Sequence, residues 1–348
     1  MKKLIFITSC LALLLVSACN VHEWPQPPGI VALKVNLNFE SDITKWHHNY
    51  VESTITEVGR GETYDGRVLS GYMRYIIRAY PVLDRQRAVQ DYTHEFVYNA
   101  EISGSYDRSF VIELPEGNYT LMVWADIVPT FGVAHYYNAA NFSEIELQGD
   151  HQGTTNYRDA FRGSRAVSLV SDIVDREPAI YDIAMQRPLA KYEFITTDLK
   201  EFIDKEIEYL QKQAATRGEE IPTRIDTDNY NVVFYYTGYM PCAYNLSIDK
   251  PVDSKLGVKF VSKLDVLSES EASLGFDYVF VNGSTSLVTV QIGLYDENDR
   301  QLALSDPINL PLSRNLHTIL KGSFLMQQAS GGIRIDPNFD GDHNIVIE

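Results

Sequence analysis

The sequence is short of cysteine, of positive charge and of long apolar runs, and each shortage removes a class of protein. Only Cys10, Cys19 and Cys242 occur in 348 residues, and no two form a Cys-x-x-Cys pair. A disulfide-stapled scaffold and a multi-thiolate zinc site are therefore excluded, and the fold must hold by burial. Lys and Arg number 30 against 47 Asp and Glu, a net charge of −17 with no basic run. Such a chain is repelled by nucleic acid and by anionic lipid surfaces, so no nucleic-acid partner is expected. The longest apolar run, Leu4 to Val16, has thirteen residues, short of the ~20 that a membrane-spanning helix needs. Gly-rich phosphate loops, a GxSxG elbow and an HExxH pair are also missing. The expectation is a non-enzyme without a cofactor. Triads and carboxylate pairs are spatial rather than sequential, so a hydrolase with carboxylates gathered from distant positions stands as a third reading.

The N-terminus carries a strong signal. Lys2 and Lys3 precede the apolar run, which ends in Val16-Ser17-Ala18-Cys19. That is the layout of a bacterial lipoprotein signal. Residues 1–18 are expected to be removed and Cys19 to receive the lipid through its thiol. Each buried methylene contributes about 0.8 kcal/mol, so two or three acyl chains hold a soluble body at a membrane. Removing Lys2 and Lys3 takes the net charge from −17 to −19 and leaves Cys242 with no partner thiol in the mature chain. Residues 19–29, with Pro25, Pro27 and Pro28, read as a stiff tether. Trp24 within it could rest at the membrane interface.

Beyond the tether the dominant period is two, the mark of half-buried strands. In VALKVNLNF (31–39), Val31, Leu33, Val35, Leu37 and Phe39 share a face, opposite Ala32, Lys34, Asn36 and Asn38. YMRYIIRAY (72–80) sets Met73, Tyr75, Ile77 and Ala79 opposite Arg74 and Arg78. Further strands are expected at 93–98, 109–114, 118–126, 166–170 and 179–185. A second series follows Arg187-Pro188, at 191–196, 231–238, 257–261, 275–281, 286–296, 317–325, 332–336 and 344–348. DENDR (296–300) reads as a polar turn between strands. One segment breaks the pattern. Leu199, Phe202, Ile203, Ile207 and Leu210 have helical spacing, with Asp198 as N-cap, Glu201 three residues on and Gly218 as stop. The expected fold is mainly β. It comprises two tandem Greek-key β-sandwich domains, 30–188 and 189–348, with one amphipathic helix near 198–213 inserted in the second.

Several of these segments look familiar in their order. IYDIAMQRPLAKYEFITTD (180–198), with Arg187-Pro188-Leu189-Ala190-Lys191 at its centre, ends one β-unit and begins the next. GNYTLMVWAD (117–126), YYTGYMPCAYNLSIDKP (235–251) and GGIRIDPNFDGDHNIVIE (331–348) accompany it. Together with the lipoprotein signal they resemble the fimbrial subunits of Bacteroidales, the fimbrillin-like, type V pilus superfamily with its anchor-type lipoproteins. The resemblance implies two transthyretin-like sandwiches and a lipid-anchored subunit at the outer membrane, on the cell surface or in a fimbrium. It also implies partner subunits joined by strand addition after trimming by an arginine-specific protease, with host or bacterial surface ligands as further partners. The strand at 31–39 would be the one expelled or donated. The first arginine after it is Arg60, in EVGRGET, the candidate trimming position. The alternative is that 31–39 stays as a resident strand. No motif distinguishes stalk, tip and anchor roles.

Other metal and ligand signals are weak. Asp336-x-Asn338-x-Asp340-Gly341 starts like a calcium loop, but its twelfth position is Ile347 where a bidentate Glu is required. It reads as the turn into a last strand, and no metal is expected. His47-His48 would point to opposite faces of a strand. The 22 Tyr suit strands and would also suit a sugar-binding surface. The rival to a fimbrial subunit is accordingly a surface glycan-binding lipoprotein of a nutrient-uptake complex.

Overall fold

A computed structural model describes residues 28–39, 47–49, 69–82, 92–102, 105–170, 177–282 and 286–327. The first half of the chain supplies β1 (Ile30–Asn38), β2 (His47–Asn49), β3 (Tyr72–Pro81), β4 (His94–Glu101) and β5 (Arg108–Pro115). It continues with β6 (Gly117–Val128), β7 (Tyr137–Asn138), β8 (Ile145–Leu147), β9 (Ala160–Leu169) and β10 (Ala179–Ala184). The second half supplies β11 (Leu189–Thr196), helix α1 (Leu199–Arg217), β12 (Asn231–Tyr236), β13 (Met240–Asn245), β14 (Lys250–Lys255) and β15 (Lys259–Lys263). Then come β16 (Asp265–Val266), β17 (Ala272–Phe280), β18 (Ser286–Tyr295), β19 (Gln301–Leu304), β20 (Ile308–Leu312) and β21 (Leu316–Gly322). The chain is mainly β, as expected.

Two sandwiches form because each sheet has one apolar face to bury. In the first, the sheet β10-β1-β5 packs on β4-β3-β6-β9. Leu33, Val35, Leu37, Tyr75, Ile77, Leu121, Val123 and Phe161 fill the space between, all fully buried. In the second, β16-β17-β11-β21-β2 packs on β15-β12-β18-β19, with β20 also paired to β18. Tyr192, Phe194, Val232, Phe234, Leu274, Val290 and Leu310 form its core. β2 belongs to the first half by sequence but runs parallel to β21 at the edge of the second sandwich.

A further sheet, β14-β13-β8-β7, joins the halves. β8 pairs antiparallel with β13 through Ala243 with Glu146 and Tyr244 with Ile145. No strand is expected at 137–147 or 250–255 from the sequence, because these segments are too short or too polar to show a period. Trp124, Tyr137, Phe142, Tyr244, Leu246 and Phe280 make a separate core beneath this sheet. That core covers the face of β3 that reads as polar. Arg74 is buried there with two bonds to Asp126, at 2.8 and 2.5 Å, and the Arg78 guanidinium lies 4.2 Å from the Phe142 ring centre. The alternation along β3 is as expected, but both of its faces are inside.

α1 extends four residues beyond the expected end and stops at Gly218, whose φ of 69° a Cβ would penalise. Leu199 and Phe202 are buried, Phe202 meeting the Tyr230 ring edge-on at 5.3 Å. Asp198 occupies the N-cap position but makes no capping bond. Its carboxylate is spent on the Thr196 hydroxyl and on the Leu325 and Met326 backbone N–H groups, at 3.3 and 2.9 Å for the latter two. DENDR forms the β18–β19 turn as expected. The Asp296 carboxylate accepts from the backbone of Asn298 and Arg300 and from the Arg300 guanidinium. The strands expected at 332–336 and 344–348, and the loop 336–341, lie outside the described residues.

Candidate functional site

β1 is the middle strand of its sheet. It runs antiparallel to β5, with Leu33 opposite Ile112 and Val35 opposite Phe110, and parallel to β10, with Leu33 opposite Ala179 and Leu37 opposite Ile183. Leu33, Val35 and Leu37 point inward and are fully buried, each contributing about 1.5–3 kcal/mol. On the outer face, Asn36 donates to Asp182 at 2.9 Å and accepts from Ser109 at 2.7 Å, which ties all three strands. Bonds from Asn36 and Asn38 hold the Asp182 carboxyl below its usual range. The strand ends are pinned too. Met185 N–H donates to the Asn38 carbonyl and Glu116 N–H to the Gly29 carbonyl, at 2.9 and 2.8 Å. β1 therefore fills a one-strand slot, with a hydrogen-bonding row on each side and three apolar sockets below.

The second feature is the seam between the sandwiches. Arg158 and Asp277 are both buried and form an ion pair across it. Asp277 also accepts from the Tyr236 hydroxyl at 2.6 Å and lies 2.6 Å from His151 Nε2. Burial pushes the Asp277 carboxyl up, but the Arg158 charge, His151 and the Tyr236 bond outweigh it and hold it below the usual carboxylate range. Arg158 donates further to the Gln152 and Tyr278 carbonyls, at 3.0 and 3.2 Å. A second junction gathers Arg162, Arg314 and the Tyr244 hydroxyl on the Asp249 carboxylate. A concavity of about 420 Å³ opens at the seam, lined by Tyr136, His151, Met240 and Lys255 among others. Another, of about 610 Å³, lies between α1 and the β18–β19 turn. Among the described residues no group of three His, Cys, Asp or Glu side chains is arranged to hold a metal, and no helix is long and apolar enough to cross a membrane.

A model of the family of unknown function DUF6562 matches residues 28–348. The chain belongs to DUF6562. No curated protein sequence matches it. Among solved structures it is similar to a candidate adhesin from Bacteroides ovatus (9% identity, 88% of this chain and 94% of that one, TM-score 0.42). It is also similar to the fimbrial anchor protein Mfa2 from Porphyromonas gingivalis (12% identity, 79% and 82% covered, TM-score 0.38). A third is a candidate polysaccharide-binding protein from Bacteroides thetaiotaomicron (9% identity, 78% and 79% covered, TM-score 0.40).

In this DUF6562 chain the two sequence-derived site residues, Cys19 and Arg60, lie outside the described residues, as does Trp24. β1 and β2 both precede Arg60 in the chain. The junction residues of the fimbrial resemblance prove to be packing groups. Arg187 is buried, with three contacts to the Asp159 carboxylate at 2.8–3.0 Å and its guanidinium 4.8 Å from the Phe161 ring centre. The buried Lys191 ammonium stands 4.0 Å from the Phe276 ring centre and donates to Asn156 at 3.1 Å. His47 and His48 form part of β2. Arg158 and Asp277 are not legible in the sequence as site residues. Nothing local marks them, since their meaning arises from a contact over 119 positions.

Proposed function

We propose that this chain is a lipid-anchored structural and adhesive subunit of a fimbria-like cell-surface assembly, joined to neighbouring subunits by strand donation. One observation carries the reading: the first strand after the expected tether is the central strand of its sheet. Removal of β1 would expose both flanking backbone rows and the sockets of Leu33, Val35 and Leu37 together. A strand from a neighbour would satisfy both at once, through ladder bonds and alternate side chains. The same strand would be a stable resident if the chain stays intact.

The lipid and β1 lie on the same side of Arg60. Cleavage there would detach the acylated Cys19, the tether, β1 and β2 together, and would free the subunit for polymerisation. An uncut chain would keep its slot filled and its lipid at the outer membrane, as an anchor does. A single peptide bond thus separates the two roles. The partners are other subunits, the membrane through the lipid, and ligands on host or bacterial surfaces.

The test is protease shaving of intact cells with mass spectrometry of the N-terminus, together with gel analysis of unheated samples. Acylated Cys19 on the uncut chain supports the anchor role. An N-terminus following Arg60, with a ladder resistant to SDS, supports the polymerising role. An unacylated chain that stays in the periplasm and forms no assembly refutes the proposal.

A further inference from the structure

The seam concavity has a composition that the mechanical role does not require. One wall comes from the first half of the chain, Tyr136 and the loop 148–152 after β8. The other comes from the second half, the start of β13 and the turn from β14 to β15. Its floor is apolar, with Met240 and Cys242 buried and Val258 half-buried. Lys255 and Lys259 stand at the two ends of the β14–β15 turn, both exposed. Neither makes a salt bridge among the described residues, in a chain of net charge −17. Asp150 is the one acidic residue in the lining.

The walls are held in place from beneath. Arg158 bonds the Gln152 carbonyl at 3.0 Å and pairs with the buried Asp277, which also holds His151. Gln148 N–H donates to the Tyr136 carbonyl at 2.9 Å. At the opposite wall Tyr236 N–H donates to the Val258 carbonyl at 2.9 Å, and Gly257 turns the chain with φ 69°. A cleft set by buried ionic and backbone bonds pays little ordering cost on binding.

We infer that this cleft binds an acidic sugar of the hexuronate class. Its volume, about 420 Å³, suits one or two sugar rings. The two lysines supply charge for a carboxylate, and the Gln148 and Gln152 amides supply hydrogen bonds for hydroxyls. Tyr136 and the half-buried Leu147 and Val258 offer contact for the C–H faces of the rings. A neutral sugar would leave both ammonium groups unused. Inorganic phosphate would use the lysines but not the floor. The site stands whether or not β1 leaves its slot, because no part of β1 lines it.

The experiment is calorimetric titration of the full chain in detergent with digalacturonate, with a neutral disaccharide and inorganic phosphate as separate probes. The double variant K255M/K259M, altered only on the exposed rim, is measured in parallel, with its thermal unfolding as a check on folding. Saturable digalacturonate binding, weakened about tenfold or more in the folded double variant, is the expected result. Absence of saturation, equal binding of the neutral disaccharide, equal competition by phosphate, or unchanged binding in the double variant would each overturn the inference.

Discussion

Asp277 on β17 receives the Arg158 guanidinium from 119 residues away, and the pair spans the boundary between the two sandwiches with both side chains out of water. An ion pair in such a place is stable only if the remaining polar atoms are also satisfied. Tyr236, His151 and the Gln152 and Tyr278 carbonyls do this. The relative placement of the halves therefore depends on a polar network as well as on the apolar core around Trp124 and Phe280.

Asp277→Asn should destabilise the protein by about 3–5 kcal/mol, because the guanidinium stays buried without a counter-charge. The change is read as a lowered urea midpoint. The double variant R158M/D277L should cost markedly less than the two single variants together. Additive losses would show that the two groups are not coupled.

The same carboxylate gives a pH dependence of known sign. Its folded pKa lies below the ordinary value of about 3.9. Its stabilisation is thus complete above that ordinary value and disappears as pH falls through the folded one. Asp249, held down by Arg314, Tyr244 and Arg162 against the upward push of burial, acts in the same direction. The stability gap between wild type and Asp277→Asn should be flat at neutral pH and narrow below about pH 4. A gap that widens on acidification would reverse the assignment.

Gly275→Ala should be costly. Gly275 has φ 140°, and a Cβ there would come within 2.8 Å of the Ser262 and Thr154 hydroxyl oxygens and 2.9 Å of the Phe234 ring. Beside it the β11–β17 register shifts by one residue, as a bulge demands. A loss of about 1–3 kcal/mol is expected from the backbone conformation alone, measurable by thermal denaturation.

Cys242 should be slow to alkylate in the folded protein. Burial, with the neighbouring Asp253 carboxylate, pushes its thiol up to about 11, so the thiolate is scarce at neutral pH. Iodoacetamide labelling followed by mass spectrometry should show modification only after denaturant is added.

Two substitutions on β1 separate its faces. Leu37→Ala should cost about 2–5 kcal/mol through the cavity it leaves, whereas Lys34→Ala on the outer face should change stability by less than about 0.5 kcal/mol. Equal effects in a denaturation series would mean that β1 is not seated in the core.

The strands with a long period of two are legible in the sequence because one face of each is water-free over five or more residues. β1, β3, β6, β12 and β18 are of this kind, and α1 is legible from Leu199, Phe202 and Gly218. β7 and β8 are not, since two or three residues carry too little pattern, and neither are β13, which is buried on both faces, and β14, which is almost wholly exposed. Arg74 and Arg78 are misleading for a related reason. Their charge argues for a solvent face, yet Asp126 and the Phe142 ring make burial tolerable.

The order of residues alone determined that the described part of this chain is β-rich, that a helix follows Asp198, and that the first strand has alternate side chains that demand a core. Those features follow from local periodicity and composition, which act along the chain and need no knowledge of partners. Only the tertiary structure decided that β1 lies in the middle of its sheet, that β2 crosses to the second sandwich, and that Arg158, Asp277 and the seam cleft come together. Strand neighbours and buried ion pairs are chosen by the total burial and charge balance of the packed whole, and no short window of sequence contains that sum.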